Sequence, residues 1–424
     1  MLLKIKNFLF HNHSSKQTLF KNTFWLGQIE FFSKIIQFFI TILVVRSFGP
    51  TNFGKFNLAF SYAAIIMVLS DFGLNTIVTR EVAKHPDLAS KYLNNTLAMK
   101  IIVSLFLCII SYLIRPILGG DPFIQKLFIL CIVYNLLQNI YSLFVSIFSG
   151  LEKMEYIFIS KIIYYLGLLF SAILITTNHS TPDKLLWLYI FANVITLVFT
   201  TVLIFINKIK ISLEFDFIFW KKIFSETLPL LGMAVLTAIY LNNDTILIGR
   251  FFGPEKVGFY QSAYKILFAF QSVNVVNYAL FPRFSALIHQ KNYESLNKLI
   301  KFTLTLSFVV LIPLTIGITI FAKPIINIIY GSVYSTASLA MIFLIWSGVA
   351  SYFRAYATNL LIAANQQKVF FYIFLIGTIT NIVINITITP NFNYYLPALS
   401  LLISETLITI LSTIAFIRIR KIML

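Results

Sequence analysis

The sequence predicts an all-α polytopic membrane protein, with about twelve transmembrane helices in two parallel-repeat six-helix lobes around a central cavity. Three observations predict it. Hydrophobic residues make up 58% of the 424 residues and charged residues only 11%, about half the charged share of a soluble domain. Apolar runs long enough to cross hydrocarbon recur along the whole chain. An eleven-residue pattern also occurs twice, as Arg46-Ser47-Phe48-Gly49-Pro50-Thr51-Asn52-Phe53-Gly54-Lys55-Phe56 and as Arg250-Phe251-Phe252-Gly253-Pro254-Glu255-Lys256-Val257-Gly258-Phe259-Tyr260.

Both copies read R-x-F-G-P-x-x-[FV]-G-x-[FY] and sit between long apolar runs, so each is a tight connection between two helices. Gly49 and Gly253 stop one helix, and Pro50 and Pro254 forbid its continuation. Gly54 and Gly258 allow close packing where the next helix begins. The repetition reads as an internal duplication with both halves entering in the same orientation.

Residues 1–20 suggest an interfacial amphipathic helix ahead of the first span. Span 1 (24–47) carries Glu30, Lys34, Gln37 and Thr41 on one face, at i, i+4, i+7 and i+11. Span 2 (56–80) carries Asn57, Ser61, Asp71 and Asn75. Span 3 (93–114) holds Lys100. Span 4 (123–149) has a stripe of Asn135, Asn139, Ser142, Ser146 and Ser149. Span 5 (156–177) holds Lys161, and span 6 (184–206) closes an N-terminal lobe over 1–206. A charged linker, 207–226, follows with Lys208, Lys210, Glu214, Asp216, Lys221 and Lys222. The C-terminal lobe, 227–424, begins with span 7 (227–250), which holds Asp244. Span 8 (258–281) holds Gln261, Lys265 and Ser272, and span 9 (300–321) follows. Span 10 (336–363) repeats a polar stripe in Ser347, Ser351, Arg354 and Thr358, with Arg354 near mid-depth. Spans 11 (369–389) and 12 (394–417) complete the lobe, and Glu405 lies inside the last.

The net charge of +18 does not point to nucleic acid, because the basic residues flank apolar spans as cytoplasmic loops do. The termini and the loops after even-numbered spans carry about 20 Lys and Arg, against about 8 on the other side. Both termini are therefore expected in the cytoplasm, with both repeated turns facing outward.

No enzyme constellation is present: no nucleophile elbow, Walker loop or paired-His metal motif. The five histidines are scattered in loops and tails, and Cys108 and Cys131 lie inside apolar runs. The chain is read as no enzyme, with neither a metal nor a cofactor. A charge at mid-bilayer costs at least about 2.5–3.5 kcal/mol, so ionisable groups inside spans usually face a wet cavity. The cations Lys34, Lys100, Lys161, Lys265 and Arg354 outweigh the acids Glu30, Asp71, Asp244 and Glu405 as candidate cavity groups. That balance suits an anionic substrate. Gln37, Asn139, Ser142, Ser347, Ser351 and Thr358 are candidates for polar contacts. Glu30, Asp71 and Asp244 are candidates for taking up a coupling cation. The plainer readings stand beside these. Ser and Thr stripes glue helices, Glu30 and Lys34 pair with each other, and Lys100, Lys161 or Lys265 snorkel to an interface.

The F-G-P-x-x-[FV]-G-x-[FY] pattern after span 1, with Asp71-Phe72-Gly73-Leu74 and Thr79-Arg80-Glu81 in span 2, resembles a known family. It is similar to the polysaccharide-transporter (Wzx-type flippase) branch of the multidrug/oligosaccharidyl-lipid/polysaccharide exporter superfamily. Asn243-Asp244, the second turn and Phe281-Pro282-Arg283 extend the resemblance. So do Ser149-Gly150-Leu151-Glu152-Lys153 and Ala363-Ala364-Asn365-Gln366-Gln367-Lys368. The resemblance covers nearly the whole chain. It implies translocation of an undecaprenyl-diphosphate-linked oligosaccharide, an O-antigen or capsule-type repeat unit, to the periplasmic leaflet of a bacterial inner membrane. Alternating access of the two lobes, coupled to a proton or sodium gradient, is implied with it. Partners would be the lipid-linked substrate, the coupling cation, membrane lipids and other polysaccharide assembly proteins. Two alternatives stay open: a cation-coupled drug exporter of the same superfamily, and a membrane enzyme of glycan assembly.

Overall fold

The computed structural model describes residues 14–423 apart from Gly119 and 178–180. The first thirteen residues of the expected interfacial helix lie outside the described residues. Those described fold into fourteen α-helices, of which ten are long and apolar enough to cross a bilayer.

The count of ten against twelve has two causes, both in the duplicated segments. Spans 1 and 2 run together in α1 (Ser15–Met67), kinked at Gly49, where φ is 68° and ψ 171°. Span 8 is broken into α8 (Pro254–Phe270) and α9 (Val275–His289) by a 3-10 turn, Gln271–Asn274. Span 2 breaks at the corresponding place. A 3-10 turn, Val68–Ser70, and a left-handed Gly73 (φ 84°) separate α1 from α2 (Leu74–Lys84). The duplication therefore extends into the helix breaks, which hydropathy does not reveal because both segments stay apolar.

The remaining helices follow the expected order. In the first half these are α3 (Ala89–Ile114), α4 (Pro122–Gly150), α5 (Met154–Thr177) and α6 (Pro182–Ile206). In the second they are α7 (Phe217–Phe252), α10 (Tyr293–Ile320), α11 (Ala322–Tyr330), α12 (Ala337–Ala363), α13 (Gln367–Thr387) and α14 (Leu396–Met423). Caps mark several starts. Asp121 accepts from the Phe123 N–H at 2.8 Å ahead of Pro122, and Asn292 accepts from the Ser295 N–H at 3.1 Å.

By contact the chain forms two compact units. One comprises the residues through Phe48 and Leu58–Ala238; the other comprises Gly49–Asn57 and Ile239–Leu424. In the first, α4 packs against α2, α3 and α6, and α5 packs against α6. In the second, α12 packs against α8, α9, α10 and α14, and α13 packs against α14. These pairings match helix for helix, as a duplicated six-helix plan requires.

A core in the first unit joins Val78 and Val82 of α2, Leu93 of α3, and Leu143, Ile147 and Phe148 of α4, all buried. Elsewhere large apolar side chains such as Phe106, Phe170, Phe191 and Phe302 are exposed, as helix faces against lipid are. Small residues let backbones approach: a Cβ on Gly377 of α13 would lie 2.3 Å from the Ile408 side chain of α14. Buried hydroxyls such as Thr196 and Thr200 donate to the carbonyl four residues back, at 2.9 and 2.6 Å, which satisfies these donors within their own helix.

The segment before α7 is tied to α3. Asn94 and Asn95 donate to the Glu214 carboxylate at 2.8 and 3.0 Å, and Asn95 Oδ1 accepts from the Asp216 N–H at 3.0 Å. Asp216 then caps α7, accepting from the Phe219 N–H at 3.0 Å.

Both repeated turns meet within the second unit. A Cβ on Gly54 would lie 1.7 Å from the Pro254 carbonyl oxygen, and one on Gly258 would lie 2.0 Å from the Pro50 carbonyl oxygen. Only hydrogen fits at either position. Gly253, with φ 82°, repeats the left-handed backbone of Gly49, which glycine adopts at no steric cost.

Candidate functional site

In the first unit the break after α1 brings Asp71 to face Lys100 of α3. The Lys100 side chain is fully buried, and its ammonium lies 2.6 Å from Asp71 Oδ1. It also donates to Asn139 Oδ1 at 2.6 Å and to the Asn139 carbonyl at 3.3 Å. Asn139 of α4 in turn donates to Ser70 Oγ at 2.7 Å. Ser142 accepts from Asn75 at 2.9 Å. Two expected roles, a cation for substrate and an acid for the coupling ion, thus meet in one satisfied pair. Removing either partner strands a charge.

The stripe on α1 faces α5. Gln37 donates to the Tyr165 hydroxyl at 3.1 Å. Glu30 pairs with Lys34 at 3.4 Å, with both side chains well exposed. Lys161 of α5 is half-buried, and among the described residues it makes neither a hydrogen bond nor an ion pair.

The second unit holds two clusters. In one, Arg354 of α12 pairs through Nε with Glu405 of α14 and donates to Ser351 Oγ at 3.2 Å. Glu405 also accepts from the Tyr240 hydroxyl at 3.0 Å. Ser347 and Thr358 are buried on the same helix; Ser347 donates to the Leu344 carbonyl at 2.7 Å, and Thr358 Oγ1 has no partner among the described residues. In the other cluster, Asp244 of α7 is 4% exposed and has no cation beside it among the described residues. Its carboxylate accepts from the Tyr260 hydroxyl at 2.7 Å and from Asn385 at 2.6 Å. Asn243, Asn381 and Ser400 complete a buried net: Asn243 donates to Asn381 Oδ1 at 2.9 Å, and Asn381 to Ser400 Oγ at 3.0 Å. One carboxylate among neutral amide and hydroxyl oxygens is a donor set for a proton or a small hard cation. Lys265 of α8 is half-buried and, among the described residues, makes neither an ion pair nor a hydrogen bond.

A family model described as polysaccharide biosynthesis protein matches residues 19–288. The chain belongs to the polysaccharide biosynthesis protein family. A second model, MatE, matches 229–387. A relative in Escherichia coli (strain K12) named as an O-antigen transporter is 22% identical, covering 97% of this chain and 99% of its own. A relative in Staphylococcus aureus, the capsular polysaccharide biosynthesis protein CapF, is 20% identical over 91% of this chain and 96% of its own. Two solved structures share the fold. An inward-facing multidrug resistance MATE family transporter of the MOP superfamily aligns with TM-score 0.73 at 15% identity, over 92% of this chain and 95% of that one. The lipid II flippase MurJ aligns with TM-score 0.72 at 16% identity, over 93% and 89%. The resemblance carried by the repeated turns is borne out.

This member of the polysaccharide biosynthesis protein family also holds polar residues that sequence reasoning missed. Lys21, which precedes the first apolar run, is fully buried and pairs with Glu155 at 2.9 Å, because α1 starts at Ser15, ahead of that run. Asn381 and Asn385, at i and i+4 in an otherwise apolar span, were the available sign of the Asp244 cluster. Tyr260 sits inside the repeated pattern itself, where it read only as an aromatic.

Proposed function

We propose that this protein translocates an undecaprenyl-diphosphate-linked oligosaccharide from the cytoplasmic to the periplasmic leaflet of a bacterial inner membrane. Both termini lie in the cytoplasm, and the lobes alternate access, driven by a cation gradient. The observation that carries the reading is Lys265: a half-buried cation on an apolar helix, with no acid beside it among the described residues. Such a charge is costly in a membrane unless water or an anion meets it. A diphosphate is such an anion, and an ammonium binds it as a point charge. Lys161, Lys34 and Arg354 add to the basic balance. Lys100 is better read as holding Asp71 and Asn139 in place.

Of the three acids considered for coupling, Asp244 has the strongest support. Glu30 and Asp71 already face lysines, whereas Asp244 faces only neutral donors. Uptake of a cation there would turn Tyr260 and Asn385 away from the carboxylate, loosening α7 against α8 and α13. The drug-exporter reading shares the fold but favours a cavity rich in carboxylates, which the basic balance here does not supply.

The test is deletion in the native host, with extraction of undecaprenyl-linked lipids and complementation by Lys265→Ala. Repeat units held on the cytoplasmic leaflet, with surface glycan lost and not restored by the variant, are expected. Normal surface glycan with the variant at normal expression overturns the anion-binding role. Single units reaching the outer leaflet unpolymerised overturn transport itself.

A further inference from the structure

Two clefts on the first unit meet at Ile129 and take no part in the transport reading. One is a groove of about 330 Å³ between α3 and α4, lined almost wholly by carbon from Cys108, Ile109, Tyr112, Leu113, Ile132 and Val133. The other, about 390 Å³, lies at the ends of these helices and is bounded by Arg115, Pro122, Gln125, Lys126 and Trp187. Together they make one cleft, apolar along its length and cationic at its mouth.

The charges at the mouth are explicit. The Arg115 guanidinium stacks 3.8 Å from the Tyr112 ring centroid, and no carboxylate pairs with it among the described residues. Lys126 is half exposed and pairs with Asp183 at 2.5 Å. Arg115 and Lys126 against Asp183 leave the mouth net positive by one. Lysine keeps two further N–H donors beyond the one given to Asp183. Trp187 and Tyr112 are 57% and 54% exposed, as amphipathic rings at a membrane interface are. From Arg115 to Cys108 the groove follows α3 for about 10 Å, within the roughly 15 Å of hydrocarbon in one leaflet.

We propose that this cleft binds one anionic phospholipid of the surrounding bilayer. One acyl chain lies in the Cys108–Val133 groove, the phosphodiester oxygens accept from Arg115 and Lys126, and Trp187 packs at the glycerol level. The occupant is a phospholipid rather than a soluble anion because the carbon-lined groove and the cationic cleft share a wall at Ile129. Apolar burial and charge are offered to a single molecule.

Native mass spectrometry of the full-length protein in detergent tests this, titrating dioleoylphosphatidylglycerol against dioleoylphosphatidylcholine. The expected result is one phosphatidylglycerol adduct, preferred over phosphatidylcholine by roughly tenfold. The double variant Arg115→Gln/Lys126→Gln loses that preference, while Arg115→Lys/Lys126→Arg retains it. Val133→Trp, which fills the groove, weakens both lipids. Equal binding of the two lipids by the native protein overturns the proposal, as does an undiminished preference in the glutamine variant. Glycerol phosphate competing as well as the whole lipid overturns the groove's part. If the glutamine variant does not fold, the groove variant and the lipid comparison on the native protein still decide.

Discussion

Two lysines inside apolar helices show how context sets the role of one residue type. Lys100 is fully enclosed and holds Asp71 and Asn139, so Lys100→Met strands a carboxylate and an amide. Because Asp71 is about a third open to solvent, a loss of about 1–3 kcal/mol is expected, seen as low yield and early melting in detergent. Lys265 holds nothing among the described residues. Lys265→Met is expected to melt no lower than the native protein while complementation of the glycan phenotype falls at least about tenfold. If both variants fail in the same way, the distinction between a structural and a substrate cation does not hold. Asp244→Asn is close in shape and keeps an acceptor for Tyr260. It is expected to fold, to lose sodium- or pH-dependent transport in proteoliposomes, and to lose cation binding by calorimetry. Unchanged cation dependence removes Asp244 from the coupling role.

Elements carry the next set of consequences. Gly54→Ala or Gly258→Ala places a methyl where a proline carbonyl already stands, so the turns must part. Transport is expected to fall sharply with either change, while Gly27→Ala, where a Cβ meets nothing within 4 Å, is neutral. Glycan complementation with matched expression measures both. At the start of α7, the Phe219 N–H and then Lys91 hold the Asp216 carboxyl below the usual carboxylate range. A depressed pKa adds stability above the unfolded value, about 3.9, and that stability is lost as pH falls through the folded value. Melting curves should show Asp216→Asn slightly less stable at neutral pH, with the difference vanishing in acid. A difference independent of pH would assign the cap to shape alone. The spans were legible because hydropathy needs only composition and length. The breaks in spans 2 and 8 were not, since a 3-10 turn such as Gln271–Asn274 leaves the apolar pattern intact. Lys100 and Asp71 were each visible as ionisable groups, but their pairing across 29 positions depends on how α3 meets the end of α1.

At the scale of the whole molecule, the proposed orientation makes a labelling prediction. In a background lacking Cys108 and Cys131, Lys291→Cys should react with an impermeant maleimide only in inverted vesicles, and Asn391→Cys only in intact cells; the reverse pattern inverts the topology. The duplication was legible from eleven residues, and the matched helix pairings of the two units follow it throughout. The contact between the two turns has a consequence for descent. Each copy gives its glycine to the other's proline carbonyl, which is the reciprocal arrangement of a two-fold symmetric interface. Two identical half-length chains, side by side in one membrane, would touch through the same four residues. Gly54 and Gly258 each accommodate a backbone carbonyl supplied by the other copy, so neither position admits a larger side chain unless the turns part.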